Sequence, residues 1–301
     1  MLIIITGDRR IFNFVPINKI INTIWNEFVY GGHLLSLGAA GTVFSVMIIL
    51  EKWPDWQVLL MAYLISQIVY VYNHFEEADK DLVTNPERVR YLQKFAKYYR
   101  PLLLFYIILL LPVLVLFANL QTLLFALFLL AGGVLFTIFF KGLTKKIIGF
   151  KEFYVALFWA AGVFLPPFYY SFHLNLFFIS FFLYIFLRSY LHTTFCDIKD
   201  TESDKSAGLK TAPVIFGQKR TLAYLHLVNF LSMVLLVGGY FLGIFPTFSL
   251  FLIVFYFYSF YYLREAGSGH IQKIRSTSYF LVDSEDVLCP MVLIAGKMFL
   301  Y

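Results

Sequence analysis

The most polar segment of the chain, CDIKDTESDKSAGLKTAPVIFG at residues 196–217, carries the residue types best suited to chemistry. Asp197, Asp200 and Asp204 are spaced i, i+3 and i+7, so a helix would place their carboxylates on one face. Such oxygen ligands suit a hard divalent cation such as Mg²⁺, which binds one or two carboxylates together with substrate phosphates. The positive charge that a diphosphate needs is supplied nearby by Lys199, Lys205 and Lys210. A solvated loop between two membrane helices is the alternative interpretation.

A second acidic stretch favours a metal site over a solvated loop. Asn73, Glu77 and Asp81 are spaced i, i+4 and i+8, which again places them on one helical face. Two facing acidic clusters would hold Mg²⁺ against a diphosphate, and basic residues would neutralise the remaining oxygens. The basic candidates are Lys141, Lys145 and Lys146. The competing explanation is that the acids only balance lysines among lipid headgroups.

The composition indicates a membrane protein. Of 301 residues, 60% are hydrophobic, 20% aromatic and only 14% charged, whereas soluble domains have about 45–50% apolar and about 25% charged residues. The formal charge of +6 does not indicate nucleic-acid binding, because the basic residues lie between apolar segments. Cys196 and Cys289 form neither a disulfide framework nor a zinc site. No cleavable signal sequence is expected.

Hydrophobic periodicity predicts the elements that position these residues. Residues 11–29 have the pattern of an amphipathic helix at the membrane surface. Apolar spans of about the 20 residues that cross a bilayer follow, at about 30–50, 56–73, 101–118, 122–140, 153–171, 175–196, 221–243 and 246–263. A ninth span, about 280–301, contains Asp283, Glu285 and Asp286 in its first third. The expected fold is an all-α integral membrane bundle of eight to nine transmembrane helices.

The chain is expected to form one transmembrane domain. It would comprise residues 30–301, preceded by the surface segment 1–29. Acidic faces at the same end of two even-numbered spans suggest two pseudo-repeated halves, about 30–140 and 153–264, followed by the last helix. The long loops are basic while the opposite loops contain only Lys52, so the positive-inside rule places the N-terminus and the acidic clusters on the cytoplasmic side.

The two acidic stretches resemble the two aspartate-rich motifs of the UbiA superfamily of intramembrane prenyltransferases. The second match runs Asp197-Ile-Lys-Asp200, Asp204, Gly208, Thr211-Ala-Pro213 and Gly217. The first, Asn73…Glu77…Asp81, is looser, because His74 and Glu77 stand at the family's first two acidic places. Asn85-Pro86-Glu87-Arg88 is similar to the Pro-x-Arg element, with Val89 in place of the second proline. Phe136 to Lys141 is similar to the Tyr-to-Lys element, with Phe136 replacing tyrosine.

The resemblance implies a nine-helix bundle around a central cavity open to the lipid, with both motifs under cytoplasmic cap loops. It also implies Mg²⁺-dependent ionisation of an isoprenyl diphosphate donor and prenyl transfer to a lipophilic, often aromatic, acceptor. The expected metal ligands are Asn73, Glu77, Asp81, Asp197, Asp200 and Asp204. The expected catalytic residues are Asp81, Asp197, Asp200 and Lys141. The expected diphosphate contacts are Arg88, Lys141, Lys145, Lys146, Lys199 and Lys205.

Two polar residues lie inside a predicted span. Arg188 and His192 share a helical face, and intramembrane ionisable residues usually face the bundle interior. Both could line the acceptor pocket or take part in proton transfer. Arg188 could instead contact the diphosphate or pair with one of the acids, and a hydrogen-bonded interior histidine is the favoured interpretation of His192. Asp283, Glu285 and Asp286 could wall the site near the last helix, but a role at the level of the lipid headgroups is favoured. A multi-pass protein of a prokaryotic cytoplasmic membrane is expected. Alternatives are a terpene cyclase or prenyl diphosphate hydrolase of the same fold, a non-catalytic scaffold, or a transporter.

Overall fold

A computed structural model describes residues 17–77, 82, 84–268 and 271–300, with side chains described from residue 21 onwards. Within these ranges the chain forms helices, turns and loops and contains no strand. The prediction of an all-α membrane protein is therefore confirmed.

The helices are numbered in chain order. The first half contains α1 (Ile17–Tyr30), α2 (His33–Ile49), α3 (Trp56–Glu76), α4 (Pro86–Phe95), α5 (Tyr99–Phe117) and α6 (Leu120–Ile138). The second half contains α7 (Phe150–Ala161), α8 (Leu165–Tyr169), α9 (Leu176–Lys199), α10 (Thr201–Ser206), α11 (Ala212–Phe241), α12 (Val254–Ala266), α13 (Ile271–Thr277) and α14 (Asp283–Leu300). Short 3₁₀ segments at Ala96–Tyr98, Phe140–Lys145, Gly162–Phe164 and Thr247–Ile253, and a π segment at Ser278–Val282, join some of them.

Seven of the described helical segments are long and apolar enough to cross a membrane. They are Trp56–Glu76, Pro86–Phe117, Leu120–Ile138, Phe150–Tyr169, Leu176–Lys199, Ala212–Phe241 and Thr247–Ala266. Helices α1 and α2, bent by 59° at their junction, make an eighth if they are counted together. Helix α14 is not among these segments; its first turn carries three acids, Asp283, Glu285 and Asp286.

The predicted surface helix over 11–29 corresponds in part to α1. Its residues 11–16 lie outside the described part of the chain. The side chains of Ile21, Ile24 and Trp25 are exposed, as an interfacial helix requires if its apolar face is to meet lipid.

Two groups of packed helices carry the two acidic stretches. Helix α3 packs against α2, α5 and α6 around residues such as Met61 and Leu110. Helix α9 packs against α7 and α11, with Phe181 fully buried among its neighbours. Helix α14 packs against α2. Because lipid is as apolar as these side chains, close packing and interhelical hydrogen bonds hold such helices together more than hydrophobic burial does.

Glycine at two positions of the second motif has a conformational reason. Gly208 has φ 71° and ends α10, where its N–H donates to the Lys205 carbonyl at 3.1 Å. Gly217 has φ 76° and interrupts the start of α11. Residues with a Cβ rarely adopt positive φ, so both turns favour glycine.

Candidate active site

A polar cavity of about 260 Å³ lies where α3, α7, α9 and α14 come together. Its acidic lining residues are Glu77, Asp197, Asp200, Asp204, Asp283 and Asp286. Its basic lining residues are Arg88, Lys141, Lys151 and Lys199. The second acidic cluster and Glu77 of the first therefore line one cavity, although they are far apart in sequence.

The three aspartates of the second motif do not belong to one continuous helix. Helix α9 ends at Lys199, Asp200 lies at the junction, and Asp204 lies in α10. The Thr201 hydroxyl donates to the Ile198 carbonyl at 2.8 Å and so satisfies a carbonyl at the end of α9. The expected single helical face is thus broken at Asp200, yet all three carboxylates still line the cavity.

A lysine contacts each of these carboxylates. Lys151 Nζ lies 2.7 Å from Asp197 Oδ1 and 3.3 Å from Asp204 Oδ2. Lys199 Nζ lies 2.8 Å from Asp200 Oδ2. Lys151 belongs to neither motif and precedes a different span, so the motifs do not point to it. Its position at the first turn of an apolar helix was the only signal available.

Asp200 is held by several neighbours. Asn85 Nδ2 donates to Asp200 Oδ1 at 2.8 Å, and the Tyr279 hydroxyl donates to Asn85 Oδ1 at 2.5 Å. Burial acts to raise the pKa of Asp200, but the positive charges of Lys199, Lys151 and Arg88 outweigh it and hold the pKa well below its usual 3.8. Asp200 is therefore a carboxylate at neutral pH.

The first motif is arranged around α3. Asn73 Oδ1 accepts a hydrogen bond from the Thr137 hydroxyl at 2.6 Å, and Glu77 Oε2 lies 2.5 Å from Lys141 Nζ. His74 stacks on Tyr70 at a centroid distance of 3.9 Å, and its Nδ1 donates to the Tyr70 carbonyl at 3.2 Å. The predicted ligand Asp81 lies outside the described residues.

The structure does not bring every predicted diphosphate contact into the cavity. Arg88, Lys141 and Lys199 line it. Lys145 and Lys146 are exposed around the end of the 3₁₀ segment Phe140–Lys145, and Lys205 is exposed on α10. None of these last three lysines lines the polar cavity. Basic residues close to a motif in sequence need not face the same way as its acids.

Arg188 is buried in an ion pair instead of facing the polar cavity. Its Nε lies 2.7 Å from Glu285 Oε1, and its Nη2 lies 2.6 Å from Glu285 Oε2. Its Nη1 donates to Asn229 Oδ1 at 2.6 Å. Both Arg188 and Glu285 are only 2% exposed. Arg188 therefore pairs with an acid, one of the two expected arrangements, and does not line the polar cavity; Glu285 is buried within the protein.

His192 lies at the boundary between this ion pair and the polar cavity. It lines the cavity, and its Nε2 lies 3.0 Å from Glu285 Oε2. Asp283 and Asp286 also line the cavity, as expected if these acids wall the site near the last helix. Arg188 and His192 thus both contact Glu285. Of these two residues, only His192 lines the cavity.

An apolar chamber of about 310 Å³ adjoins the polar cavity. The two share Leu35, Tyr70, His74, Glu77, Val155 and Trp159. The aromatic residues Phe136, Tyr154 and Phe158 line the chamber farther in, together with Gly133 and Gly162. A molecule with a charged head and an apolar tail would therefore find the two environments next to each other.

The acidic residues suit a hard divalent cation in their chemistry. Asp197 Oδ2 is buried and has no hydrogen-bond partner, an arrangement that a cation would satisfy. Among the described residues, no three histidine, cysteine, aspartate or glutamate side chains are already grouped around a metal position. The lysines lie against the carboxylates instead.

Comparison with known proteins agrees with this architecture. The profile of the UbiA prenyltransferase family matches residues 38–281. A UbiA homologue from Aeropyrum pernix K1 has a TM-score of 0.64 at 15% identity, with 89% of this chain and 97% of that chain covered. A UbiA homologue from Archaeoglobus fulgidus bound to GPP and Mg²⁺ has a TM-score of 0.63 at 14% identity. This match covers 90% of this chain and 99% of that chain.

A third solved structure, described as that of digeranylgeranylglyceryl phosphate synthase in membranes, has a TM-score of 0.59 at 17% identity. The match covers 93% of this chain and 100% of that chain. At such identities the structural likeness shows the fold alone. No curated protein matches the chain significantly in sequence.

Proposed function

Because this chain belongs to the UbiA prenyltransferase family, we propose that it transfers an isoprenyl group from an allylic diphosphate to a lipophilic acceptor within the membrane. The reaction requires Mg²⁺ and releases diphosphate. The observation that carries this proposal is that a charged cavity and an apolar chamber lie side by side and share six lining residues. A diphosphate head and an isoprenoid tail match these two environments.

The polar cavity supplies the charges for the leaving group. Asp197, Asp200 and Asp204 hold the metal together with Glu77, and Asn73 and Asp81 belong to the same proposed ligand set. When bound, Mg²⁺ neutralises negative charge as it develops on the departing diphosphate. Cationic side chains in the cavity stabilise the same charge; these are Arg88, Lys141, Lys151 and Lys199. The exposed lysines Lys145, Lys146 and Lys205 are not part of this proposal.

The apolar chamber receives the isoprenoid part of the donor. The aromatic rings of Phe136, Tyr154 and Phe158 line the chamber, and aromatic rings stabilise a nearby cation such as a developing allylic cation. Exclusion of water there protects the cation from hydrolysis. His192 lies on the polar side, next to Glu285, in a position to take the proton that an aromatic acceptor loses.

We place the cavity on the cytoplasmic side of the membrane. The long loops beside the cavity contain most of the lysine and arginine residues, and the positive-inside rule assigns such loops to the cytoplasm. A prokaryotic cytoplasmic membrane is the proposed location. The division into two pseudo-repeated halves stays a prediction.

Product analysis tests the proposed function. The purified protein is incubated with geranylgeranyl diphosphate and Mg²⁺, with and without a membrane lipid extract, and the organic phase is analysed by mass spectrometry. A prenylated species that forms only with the extract supports the transferase and gives the acceptor's mass. A hydrocarbon or prenyl alcohol formed without extract supports a cyclase or hydrolase instead. If no donor chain length releases pyrophosphate, the protein is not an enzyme of this type.

A further inference from the structure

Lys151 contacts two of the three aspartates of the second motif at once. Its ammonium lies 2.7 Å from Asp197 Oδ1 and 3.3 Å from Asp204 Oδ2. The two carboxylate side chains are only 3% and 7% exposed. Bridging by one cation removes the repulsion that two buried carboxylates would otherwise exert on each other.

The backbone that carries Lys151 is fixed independently of this contact. The next residue, Glu152, is fully buried, and its Oε1 accepts a hydrogen bond from the Ala212 N–H at 2.6 Å. The Gly149 N–H donates to the Lys210 carbonyl, and the Lys210 N–H donates to the Thr144 carbonyl. The start of α7 is thus tied to the start of α11. Any movement of the Lys151 ammonium therefore comes from rotation of its flexible side chain.

The bridging position is also the one that a divalent cation would take. Asp197 and Asp204 offer their oxygens to a single central charge, and Asp197 Oδ2 has no other partner. An ammonium and a divalent cation cannot both lie between the same two carboxylates, because they repel each other at that distance.

We propose that Lys151 is an exchangeable cation. It bridges Asp197 and Asp204 when no divalent cation is bound, and it leaves the aspartates for the diphosphate when the metal enters. This proposal rests on the proposed function for its second half, since it assigns Lys151 to the donor's diphosphate. Lys151 lines the polar cavity together with Lys141 and Arg88. Its ammonium can therefore turn towards a diphosphate bound in that cavity.

The exchange predicts effects of opposite sign in one variant. Lys151→Met removes the competitor, so Mn²⁺ binding without substrate, measured by electron paramagnetic resonance, becomes at least about fivefold tighter. The same variant loses a phosphate contact, so binding of inorganic pyrophosphate with Mg²⁺ becomes at least about fivefold weaker. The matched control is Lys219→Met, which removes an exposed lysine near the start of α11 and leaves both affinities unchanged.

Two results would overturn the exchange. Unchanged Mn²⁺ affinity in Lys151→Met would show that Lys151 does not compete with the metal. Weaker Mn²⁺ binding would show that Lys151 only positions the carboxylates. Tighter Mn²⁺ binding with unaltered pyrophosphate binding would refute the second half alone.

A measurement on the unaltered protein covers the case in which Lys151→Met does not fold. Acetic anhydride labels free amines, and mass spectrometry reads the labelling of each lysine. The exchange predicts that Mg²⁺ raises the labelling of Lys151 severalfold while the exposed Lys219 stays constant. No increase at Lys151 would contradict it. Neither test uses a prenyl donor. Their results can therefore be interpreted even if the proposed enzyme activity is not found.

Discussion

Arg188 and Glu285 form a buried ion pair with two contacts, 2.7 Å between Nε and Oε1 and 2.6 Å between Nη2 and Oε2. The pair joins the middle of α9 to the first turn of α14. It allows a last helix that begins with three acids to pack inside a bundle of apolar helices, because the carboxylate of Glu285 is neutralised and hydrogen-bonded there.

Replacing Arg188 by methionine should destabilise the protein by about 3–5 kcal/mol, since Glu285 is left as an uncompensated buried charge. Thermal unfolding in detergent measures this loss. The double variant Arg188→Met/Glu285→Met should recover most of it, because it removes both charges. Equal stability of the single variant and the unaltered protein would show that the pair does not hold α14.

Gly162 is expected to control the length of the isoprenoid chain. It lines the apolar chamber, and a Cβ added there meets no atom within 4 Å. Gly162→Leu should therefore fill part of the chamber without a backbone clash. Turnover should fall more for geranylgeranyl diphosphate than for geranyl diphosphate, as competition assays with both donors would measure. An equal effect on both donors would place the isoprenoid tail elsewhere.

Lys141 is expected to stabilise the leaving diphosphate. Its ammonium lies 2.5 Å from Glu77, and both residues line the polar cavity. Lys141→Met should lower the rate of pyrophosphate release about 100-fold, the usual effect of losing one group that stabilises developing negative charge. Lys94→Met, an exposed lysine on α4, is the control and should retain the full rate. Full activity in Lys141→Met would remove Lys141 from the site.

The low pKa of Asp200 predicts a specific dependence of stability on pH. Burial acts to raise this pKa, but Lys199 and the other nearby cations depress it below 3.8 in the folded protein. A depressed carboxyl pKa contributes stability above the unfolded value of about 3.9, and this contribution is lost as the pH falls through the folded value.

Lys199→Met removes the largest favourable interaction with the Asp200 carboxylate. The variant should therefore lose less stability than the unaltered protein when the pH is lowered from neutral to about 3. Melting temperatures across this range measure the difference. The control Lys219→Met should follow the unaltered protein. Parallel curves for Lys199→Met would show that Lys199 does not set the pKa of Asp200.

Much of the fold can be predicted from the apolar segments of the sequence. Each membrane span must satisfy its backbone hydrogen bonds internally in lipid, and a helix does so. The spans at 56–73 and 175–196 correspond to α3 (Trp56–Glu76) and α9 (Leu176–Lys199). The ends of helices were less predictable. Helix α9 stops at Lys199 because side chains and turns locally satisfy its last carbonyls, so the second motif continues on a separate helix.

The functional residues that lie outside the two motifs could not be predicted from local sequence. Lys151 lies on α7, whose contact with α9 depends on tertiary packing. The role of Glu285 depends on the same kind of long-range contact, since its partner Arg188 lies 97 residues earlier. Conversely, Lys145, Lys146 and Lys205 lie close to the motifs in sequence but face away from the cavity. Local spacing does not determine these directions.

The most direct test of the central claim is the rate of Mg²⁺-dependent pyrophosphate release from geranylgeranyl diphosphate in the presence of membrane lipid extract. Asp197→Asn keeps the shape of the side chain but removes the charge that binds a metal. We predict that the unaltered protein releases pyrophosphate only with Mg²⁺, and that folded Asp197→Asn protein does so at least about 100-fold more slowly. Full Mg²⁺-dependent turnover by a folded Asp197→Asn variant would contradict the account.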